Sequence, residues 1–303
     1  MRQRGDRPGG RGTASPDSGR RGDVVNPTPL ASERPPATAA RTRCVTIGSS
    51  DSGGGAGIQG DLKAFASVGA YGASVVVGVT AQNTMGVSAR APIDPELVDG
   101  QLKAVLDDIG ADGLKVGTTW SPLVVWTLVE RLGRLTETPV VVDPVMVTAA
   151  GSALGGDAES LAAVREGLLP LARTATPNLT EARLLTGLGQ EAPPALLAEK
   201  LVGLGAASAL ITDAFPDGPE VCDWLFDGEE HHEIRSPREN TRCDHGAGCA
   251  HSALLTVFLA RHMGLLEAAR QAHEAVRLGI RHGAADIGSG HHPLDLLSVR
   301  TAR

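Results

Sequence analysis

The stretch that most constrains the fold is a short apolar strand that runs directly into a glycine-rich loop and then a helix. Residues 44–48 read as a buried strand, and residues 49–57 contain four glycines among small and polar residues. Residues 58–68 have the apolar spacing of an amphipathic helix. A strand, a glycine-rich turn and a helix in this order open α/β folds, so the sequence predicts that class.

The same alternation of strand and helix repeats along the chain and predicts a central, mostly parallel sheet flanked by helices. Helices are expected at 95–108, 122–135, 194–204, 247–262 and 265–282, and strands at 73–80, 114–116, 140–143 and 209–212. Residues 222–226 and 232–236 flank Asp227-Gly228 and predict a hairpin. Residues 82–84 are expected to form a polar loop, and residues 148–156 a loop of small residues.

The first 41 residues differ in composition from the rest of the chain. Residues 1–43 hold nine arginines and four acids, so the remaining body carries a net charge of −12 within the overall −7. A segment with so few large apolar residues cannot offset its ordering entropy, which predicts a disordered tail over 1–41 and a single domain over 42–303. The acidic body argues against binding to nucleic acid.

Composition also limits the environment of the chain. An uninterrupted apolar run of 18 residues is absent from the sequence, which predicts that the chain does not span a membrane. Four cysteines in 303 residues, without a Cys-x-x-Cys pair, predict neither a disulfide framework nor a zinc site. A reducing cytoplasm is therefore the expected location.

A second glycine-rich turn, at residues 243–249, opens a long apolar helix. The first N–H groups of a helix lack intrahelical partners and carry partial positive charge, so this turn suits an anion such as phosphate. Cys249 would lie at the helix start, where a thiolate is favoured. A glycine-cushioned helix start with a buried cysteine remains the alternative.

Residues 55–60 match the G-x-G-x-x-G pattern of dinucleotide-binding proteins. That fingerprint also needs an acid at the end of the second strand to bind a ribose hydroxyl. The strand ends instead in the residues 80–84, which contain no acid. The pattern is therefore interpreted as a loop that serves another ligand.

Polar side chains follow successive predicted strands at the edge where open α/β sheets bind ligands. They are Gln82, Lys115, Asp143, Asn178 and Glu181. Asp143 and Glu181 are oxygen donors suited to Mg²⁺, although each could also simply end a strand or cap a helix. Together with the anion-binding turn they predict a small-molecule kinase that lacks a P-loop.

These motifs resemble, in order, those of the hydroxymethylpyrimidine/phosphomethylpyrimidine kinases of thiamine biosynthesis, within the ribokinase-like superfamily. The matching runs lie at residues 50–59, 61–63, 81–84, 115–117, 143–146, 176–181 and 245–249. The resemblance implies a three-layer ribokinase-like fold, ATP and Mg²⁺ as cofactors, a small pyrimidine as substrate and a homodimer.

The resemblance also implies roles for individual residues. It places Gln82, Asp61, Gly53, Gly55, Lys115 and Met146 around the pyrimidine, and Asp143, Asn178 and Glu181 at the ATP phosphates, with Asp143 and Glu181 holding Mg²⁺. It places Gly246, Ala247, Gly248 and Cys249 around the transferring phosphoryl group. Cys249 stands where related sugar kinases carry an aspartate base, so it either takes the hydroxyl proton or lines the anion site.

Three departures from the family pattern leave alternatives open. Asp213 replaces a lysine that contacts ATP, and Asp244 adds a second negative charge next to the anion turn; both would repel phosphate and motivate a weakly catalytic pyrimidine-binding protein. Thr118 replaces a methionine and motivates a sister kinase that acts on pyridoxal or a related hydroxymethyl heteroaromatic.

Overall fold

Nine strands form one sheet within residues 40–145 and 158–298, the part of the chain that this computed structural model describes. In chain order they are β1 (Arg43–Asp51), β2 (Tyr71–Asn83), β3 (Gly86–Pro92), β4 (Gly113–Val116), β5 (Val140–Val142), β6 (Thr174–Ala175), β7 (Ala209–Ile211), β8 (Glu220–Phe226) and β9 (His231–Pro237). Their order across the sheet is β3-β2-β1-β4-β5-β6-β7-β8-β9. Neighbours from β2 to β7 pair in parallel, whereas β3, β8 and β9 pair antiparallel at the edges, which confirms the predicted sheet.

Helices cover both faces of this sheet. They are α1 (Gly57–Ser67), α2 (Pro95–Asp108), α3 (Pro122–Leu132), α4 (Ala158–Ala163), α5 (Leu179–Thr186), α6 (Pro194–Gly203), α7 (Ala247–Ala260) and α8 (Leu265–Arg281). One apolar core contains side chains of α2, α3, α5 and α6, and a second contains those of α1, α7 and α8. The result is the three-layer arrangement that the sequence predicts.

Side-chain caps fix where several helices begin. Asp94 accepts the Glu96 N–H at the start of α2, and Ser121 accepts the Val124 N–H at the start of α3. Each cap is followed by a proline, whose fixed φ suits the first helical turn. These caps therefore set the first residues of α2 and α3.

The polar loop expected at residues 82–84 is partly wrong. Gln82 and Asn83 belong to β2, which turns at residues 84–85 into the antiparallel β3. Most residues of β3 are exposed, so this strand carries no apolar alternation that a sequence pattern would reveal.

Some predictions fall outside the described residues. They are the tail, of which residues 1–39 are not covered, the loop at 148–156, and Met146. Among the helices that are described, every one is too short or too polar to cross a bilayer.

Candidate active site

The two glycine-rich loops meet at the start of α7. Gly246 has a φ of +88°, in the left-handed region that favours glycine. A Cβ atom on Gly246 would lie only 1.9 Å from the carbonyl oxygen of Gly55. The structure therefore brings these two predicted site residues together through a contact between backbones.

Asp51 organises the first loop and links it to the second. Its carboxylate accepts the N–H groups of Gly53 and Ala56 at 2.8 and 2.9 Å, and lies 3.1 Å from His245 Nε2. Burial raises the pKa of Asp51, but the hydrogen bonds from His245 and the two amides outweigh it and hold that pKa below its usual value. Neither Asp51 nor His245 was assigned a role from the sequence, although both lie inside the recognised motifs.

The first turn of α7 has no side-chain cap, unlike α2 and α3. The Ala247 N–H donates to the Asp244 carbonyl at 3.0 Å, so this amide is already engaged. The N–H groups of Gly248 and Cys249 are the ones that the turn offers to an anion. A Cβ atom on Gly248 would meet nothing within 4 Å, which leaves open space at this point.

Cys249 lies where the sequence places it, but its thiol is not activated. Burial raises the pKa of Cys249 to about 12 against the opposing effect of Lys115, and the carboxylates of Asp61 and Asp143 raise it further. The Gly57 N–H at the start of α1 donates to the sulfur. The raised pKa argues against the expectation that the helix start favours a thiolate, because burial disfavours the charged form and two buried carboxylates add to that effect.

A buried lysine supports the α7 turn. Lys115 Nζ donates to Asp61 Oδ1 at 2.5 Å and to the Cys249 carbonyl at 3.2 Å, and lies 3.5 Å from Asp143 Oδ2. The other oxygen of Asp61 accepts the Thr46 hydroxyl at 2.5 Å. Burial lowers the pKa of Lys115, but the facing carboxylates outweigh it and raise that pKa above its usual value.

This network bears on the predicted contacts of Asp61 and Lys115 with the pyrimidine. Asp61 is 2% exposed and Lys115 is 1% exposed; Lys115 Nζ donates to one oxygen of Asp61, and the Thr46 hydroxyl donates to the other. Their geometry favours a role in supporting the α7 turn over direct contact with the substrate. The predicted contact of Asp61 and Lys115 with the pyrimidine stays a prediction.

Asp143 lies next to the α7 turn, as predicted. Its Oδ2 accepts the Ser252 hydroxyl at 2.8 Å, and Ser252 also donates to the Gly248 carbonyl at 3.0 Å. Within the described residues its Oδ1 has no hydrogen bond. Ser252 was missed by the sequence analysis, although its position one helical turn after Gly248 is a usable signal.

Gln82 and Gly53 share the other side of the candidate site. The hydroxyl of Ser52 donates to the Gln82 carbonyl at 2.7 Å and accepts the Gln82 N–H at 2.8 Å. Thr80 donates to Gln82 Oε1 at 3.1 Å, which directs the side-chain amide. A Cβ atom on Gly53 would lie 3.3 Å from the Gln82 carbonyl, so the loop lies against the end of β2.

Asn178 and Glu181 form the capping box that the sequence suggests. Asn178 Oδ1 accepts the Glu181 N–H at 2.9 Å, and Glu181 Oε2 accepts the Asn178 N–H at 3.0 Å. The Thr176 N–H donates to Val142, which precedes Asp143, so these residues follow neighbouring strands. No group of three or more His, Cys, Asp or Glu residues in the described part of the chain is arranged to hold a metal.

The two unexpected acids are both paired. Arg238 donates to both carboxylate oxygens of Asp213, at 2.9 and 2.7 Å, and also to backbone carbonyls of the same turn. His291 Nδ1 lies 2.8 Å from Asp244. Because Asp213 is neutralised by a cation, the expected repulsion of phosphate is weakened, and so is the case for a protein that only binds a pyrimidine.

Comparison with known proteins gives a consistent result. The phosphomethylpyrimidine kinase family model matches residues 51–295. The hydroxymethylpyrimidine/phosphomethylpyrimidine kinase of Rhizobium meliloti (strain 1021) is 41% identical over 256 residues, which cover 82% of this chain and 95% of that protein.

Solved structures show similarity to two kinds of kinase. The structure of an ADP complex of Bacillus subtilis pyridoxal kinase has a TM-score of 0.79 at 31% identity and covers 86% of this chain and 100% of its own. The phosphomethylpyrimidine kinase of Clostridium difficile 630 has a TM-score of 0.69 at 32% identity, with coverage of 78% and 98%.

Proposed function

Since the chain belongs to the phosphomethylpyrimidine kinase family of small-molecule kinases, we propose that it phosphorylates a hydroxymethylpyrimidine. The substrate is 4-amino-5-hydroxymethyl-2-methylpyrimidine, its monophosphate, or both, and the reaction belongs to thiamine biosynthesis. The observation that carries the proposal is the contact between Gly246 and Gly55. It sets an uncapped helix start directly against the loop that precedes α1, with Asp143 alongside.

ATP is the phosphoryl donor in this proposal, which is supported by the ADP complex of the related pyridoxal kinase. The reacting oxygen of the pyrimidine forms a bond to the γ-phosphorus while the bond to the ADP oxygen breaks. The N–H groups of Gly248 and Cys249 bind the transferring phosphoryl group. Hydrogen-bond donors that are already in place there lower the barrier, because charge develops on this group in the transition state.

The hydroxyl proton leaves late in this mechanism, and an oxygen of the transferred phosphoryl group or water accepts it. Phosphoryl transfer passes through a loose transition state, so the attacking hydroxyl needs little prior deprotonation. Cys249, with a pKa of about 12, is a neutral thiol near pH 7 and therefore lines the anion site instead of acting as the base.

Asp143 and Glu181 are proposed to hold Mg²⁺. Mg²⁺ takes one or two carboxylates together with phosphate oxygens and water, and does not need a cage of three protein ligands. The donor set fits, because Asp143 Oδ1 has no hydrogen bond among the described residues and Glu181 begins a neighbouring helix. When bound, the ion would neutralise charge on the ATP phosphates.

The pyrimidine is proposed to lie between Gln82 and the first loop. Gln82 has its side-chain oxygen fixed by Thr80, so its amide N–H₂ group remains to bind an acceptor on the ring. Gly53, Gly55 and Met146, the last of which lies outside the described residues, stay predicted ring contacts that rest on the family resemblance.

A second candidate substrate is pyridoxal, because the pyridoxal kinase of Bacillus subtilis has the higher TM-score of the two structures compared. Thr118 supports this alternative, since it is buried at the end of β4 where the family pattern has methionine. Both substrates are flat rings that bear a hydroxymethyl group, so the choice depends on the pocket and not on the chemistry.

A substrate panel tests the proposal. The purified chain is incubated with ATP and Mg²⁺ and with the pyrimidine alcohol, its monophosphate or pyridoxal, and ADP release and product mass are measured. We expect the highest kcat/KM with one or both pyrimidines. Absence of ADP release with both pyrimidines would refute the proposal, and a higher kcat/KM for pyridoxal would establish the alternative.

Location and assembly complete the proposal. The four cysteines are free, which supports a reducing cytoplasm. A homodimer is proposed from the family resemblance, and light scattering at assay concentration would test it.

A further inference from the structure

A buried carboxylate in β8, Asp223, contacts three other parts of the fold at once. Its Oδ1 accepts the N–H of Asp213 at 2.9 Å. Its Oδ2 accepts His273 Nδ1 at 2.7 Å and lies 3.2 Å from His251 Nε2. Asp223 is 3% exposed, so a single buried group connects the turn after β7 with both α7 and α8.

The two histidines have few other partners. His251 is 4% exposed, and apart from its ion-pair contact with Asp223 neither ring nitrogen has a partner in the described residues. His273 Nε2 lies 2.7 Å from Ser236 Oγ in β9. We call these four residues, Asp223, Ser236, His251 and His273, the Asp223 cluster.

Ser236, His273 and Asp223 have the spacing of a nucleophilic triad, but their surroundings exclude that role. Ser236 is 8% exposed and His273 is 6% exposed, so a substrate has no approach to the hydroxyl. A nucleophile must reach the atom that it attacks. The cluster therefore acts through the elements that it joins.

The charge on Asp223 is what makes these contacts strong. Burial raises the pKa of Asp223, but the close contacts with His251 and His273 outweigh it and hold that pKa below its usual value. A charged carboxylate kept from water needs donors around it, and removal of one donor is costly. The cluster thus holds α7, α8 and the β7 turn at fixed separations.

Both ends of this connection reach the proposed phosphate site. His251 comes two residues after Cys249 and directly before Ser252, which donates to Asp143. Asp213 follows Thr212, which pairs with Asn178. The pyrimidine side is remote from the cluster, because four strands separate β1 from β8 in the sheet.

We propose that Asp223 is a positioning residue for phosphoryl transfer, which fixes the start of α7 relative to the strand ends that hold the ATP phosphates. This inference rests on the proposed kinase function. It predicts that loss of the carboxylate affects ATP and turnover and spares binding of the pyrimidine.

The test compares Asp223→Asn with a matched control, Asp227→Asn. Asp227 lies just after β8 in the turn to β9, and its carboxylate also accepts two amides and contacts a histidine, but it has no contact with α7 among the described residues. For Asp223→Asn we expect kcat to fall by about tenfold or more, because small misplacements of reacting groups are costly. The ATP KM should rise and the pyrimidine KM should stay within twofold, while Asp227→Asn should keep all three values.

Two variants of His251 keep the test decisive if Asp223→Asn does not fold. His251→Leu removes the contact with an apolar side chain that suits a buried helix, and should reproduce the low kcat and high ATP KM. His251→Gln retains an N–H donor and should restore most of the activity. Equal kcat and ATP KM in wild type, His251→Leu and Asp223→Asn would overturn the inference, as would a loss that follows only the folded fraction. Wild type without kinase activity on any substrate of the panel would instead refute the proposed function.

Discussion

On the β1 side of the sheet the start of α7 meets backbone directly at Gly246, whereas on the β8 side α7 is held through the side chains of His251 and Asp223. Gly246 touches the carbonyl of Gly55, and no side chain larger than hydrogen fits at that contact. Near β8, His251 is held through the carboxylate of Asp223. A backbone contact fixes the shape of a site and tolerates almost no change, whereas side-chain contacts can be exchanged for others that hold the same elements.

The largest effect is expected from Lys115→Met, which removes the buried cation on the β1 side. Asp61 and Asp143 would then face each other without a counter-charge, and breaking a buried pair in this way costs about 3–5 kcal/mol. Chemical denaturation should show a free energy of unfolding lower by that amount. Lys63→Met is the control, because Lys63 is exposed and, among the described residues, donates its hydrogen bond to the Gly54 carbonyl alone. Equal stability of the two variants would contradict the buried network.

The next largest effect is expected from Gly246→Ala. The new Cβ would clash with Gly55, and the left-handed φ would add strain, so the two loops must separate. We expect kcat/KM to fall by about 100-fold or more, measured by ADP release. Gly203→Ala in α6 is the control, since its Cβ would meet nothing within 4 Å and alanine favours helix. Activity retained in Gly246→Ala would show that the backbone contact is dispensable.

A smaller effect is expected from Cys249→Ala. This variant tests whether the thiol at the start of α7 contributes to turnover in addition to the backbone N–H group of the same residue. In the proposed mechanism the neutral thiol lines the anion site, so turnover should fall by about tenfold or less, which is ~1.4 kcal/mol. The dissociation constant of the pyrimidine, measured by calorimetry, should change less than kcat. Unchanged turnover would remove the thiol from the mechanism.

The smallest effect is expected from Arg238→Met on the β8 side. Arg238 is about a third exposed and its partner Asp213 slightly more, so water and salt screen the pair. The free energy of unfolding should fall by about 1 kcal/mol or less, and the loss should shrink further at high salt. A loss as large as that of Lys115→Met would mean that the two ends do not differ in the way described above.

The same contrast explains what the sequence could predict. The β1 side depends on glycines and strand-end polar residues in continuous runs, so the runs that contain Gly53, Gly55 and Gly246 could be recognised from the sequence, and the structure places Gly55 against Gly246. Their contacts with ligands stay predictions. Met146 and the pyrimidine contacts of Asp61 and Lys115 remain predictions, because Met146 lies outside the described residues and the other two are occupied by each other.

The β8 side gave no comparable signal. Asp223 is one polar residue in a strand, and His251 is one polar residue in an apolar helix, so each reads alone as an ordinary buried side chain. The contacts of Asp223 with these helices depend on how α7 and α8 pack against the sheet, which a local sequence pattern cannot predict. Arg238 was missed for the same reason, since it lies 25 positions from Asp213.

The contact between the two loops also bears on how the protein matures. Asp51 and His245, which flank it, are 194 positions apart in the chain. Contacts between such distant residues form late, after shorter-range structure is in place. During synthesis, a nascent polypeptide whose α7 is still inside the ribosome would already contain the strand and loop that are proposed to bind the pyrimidine, but it would lack the helix start that is proposed to bind the transferring phosphate.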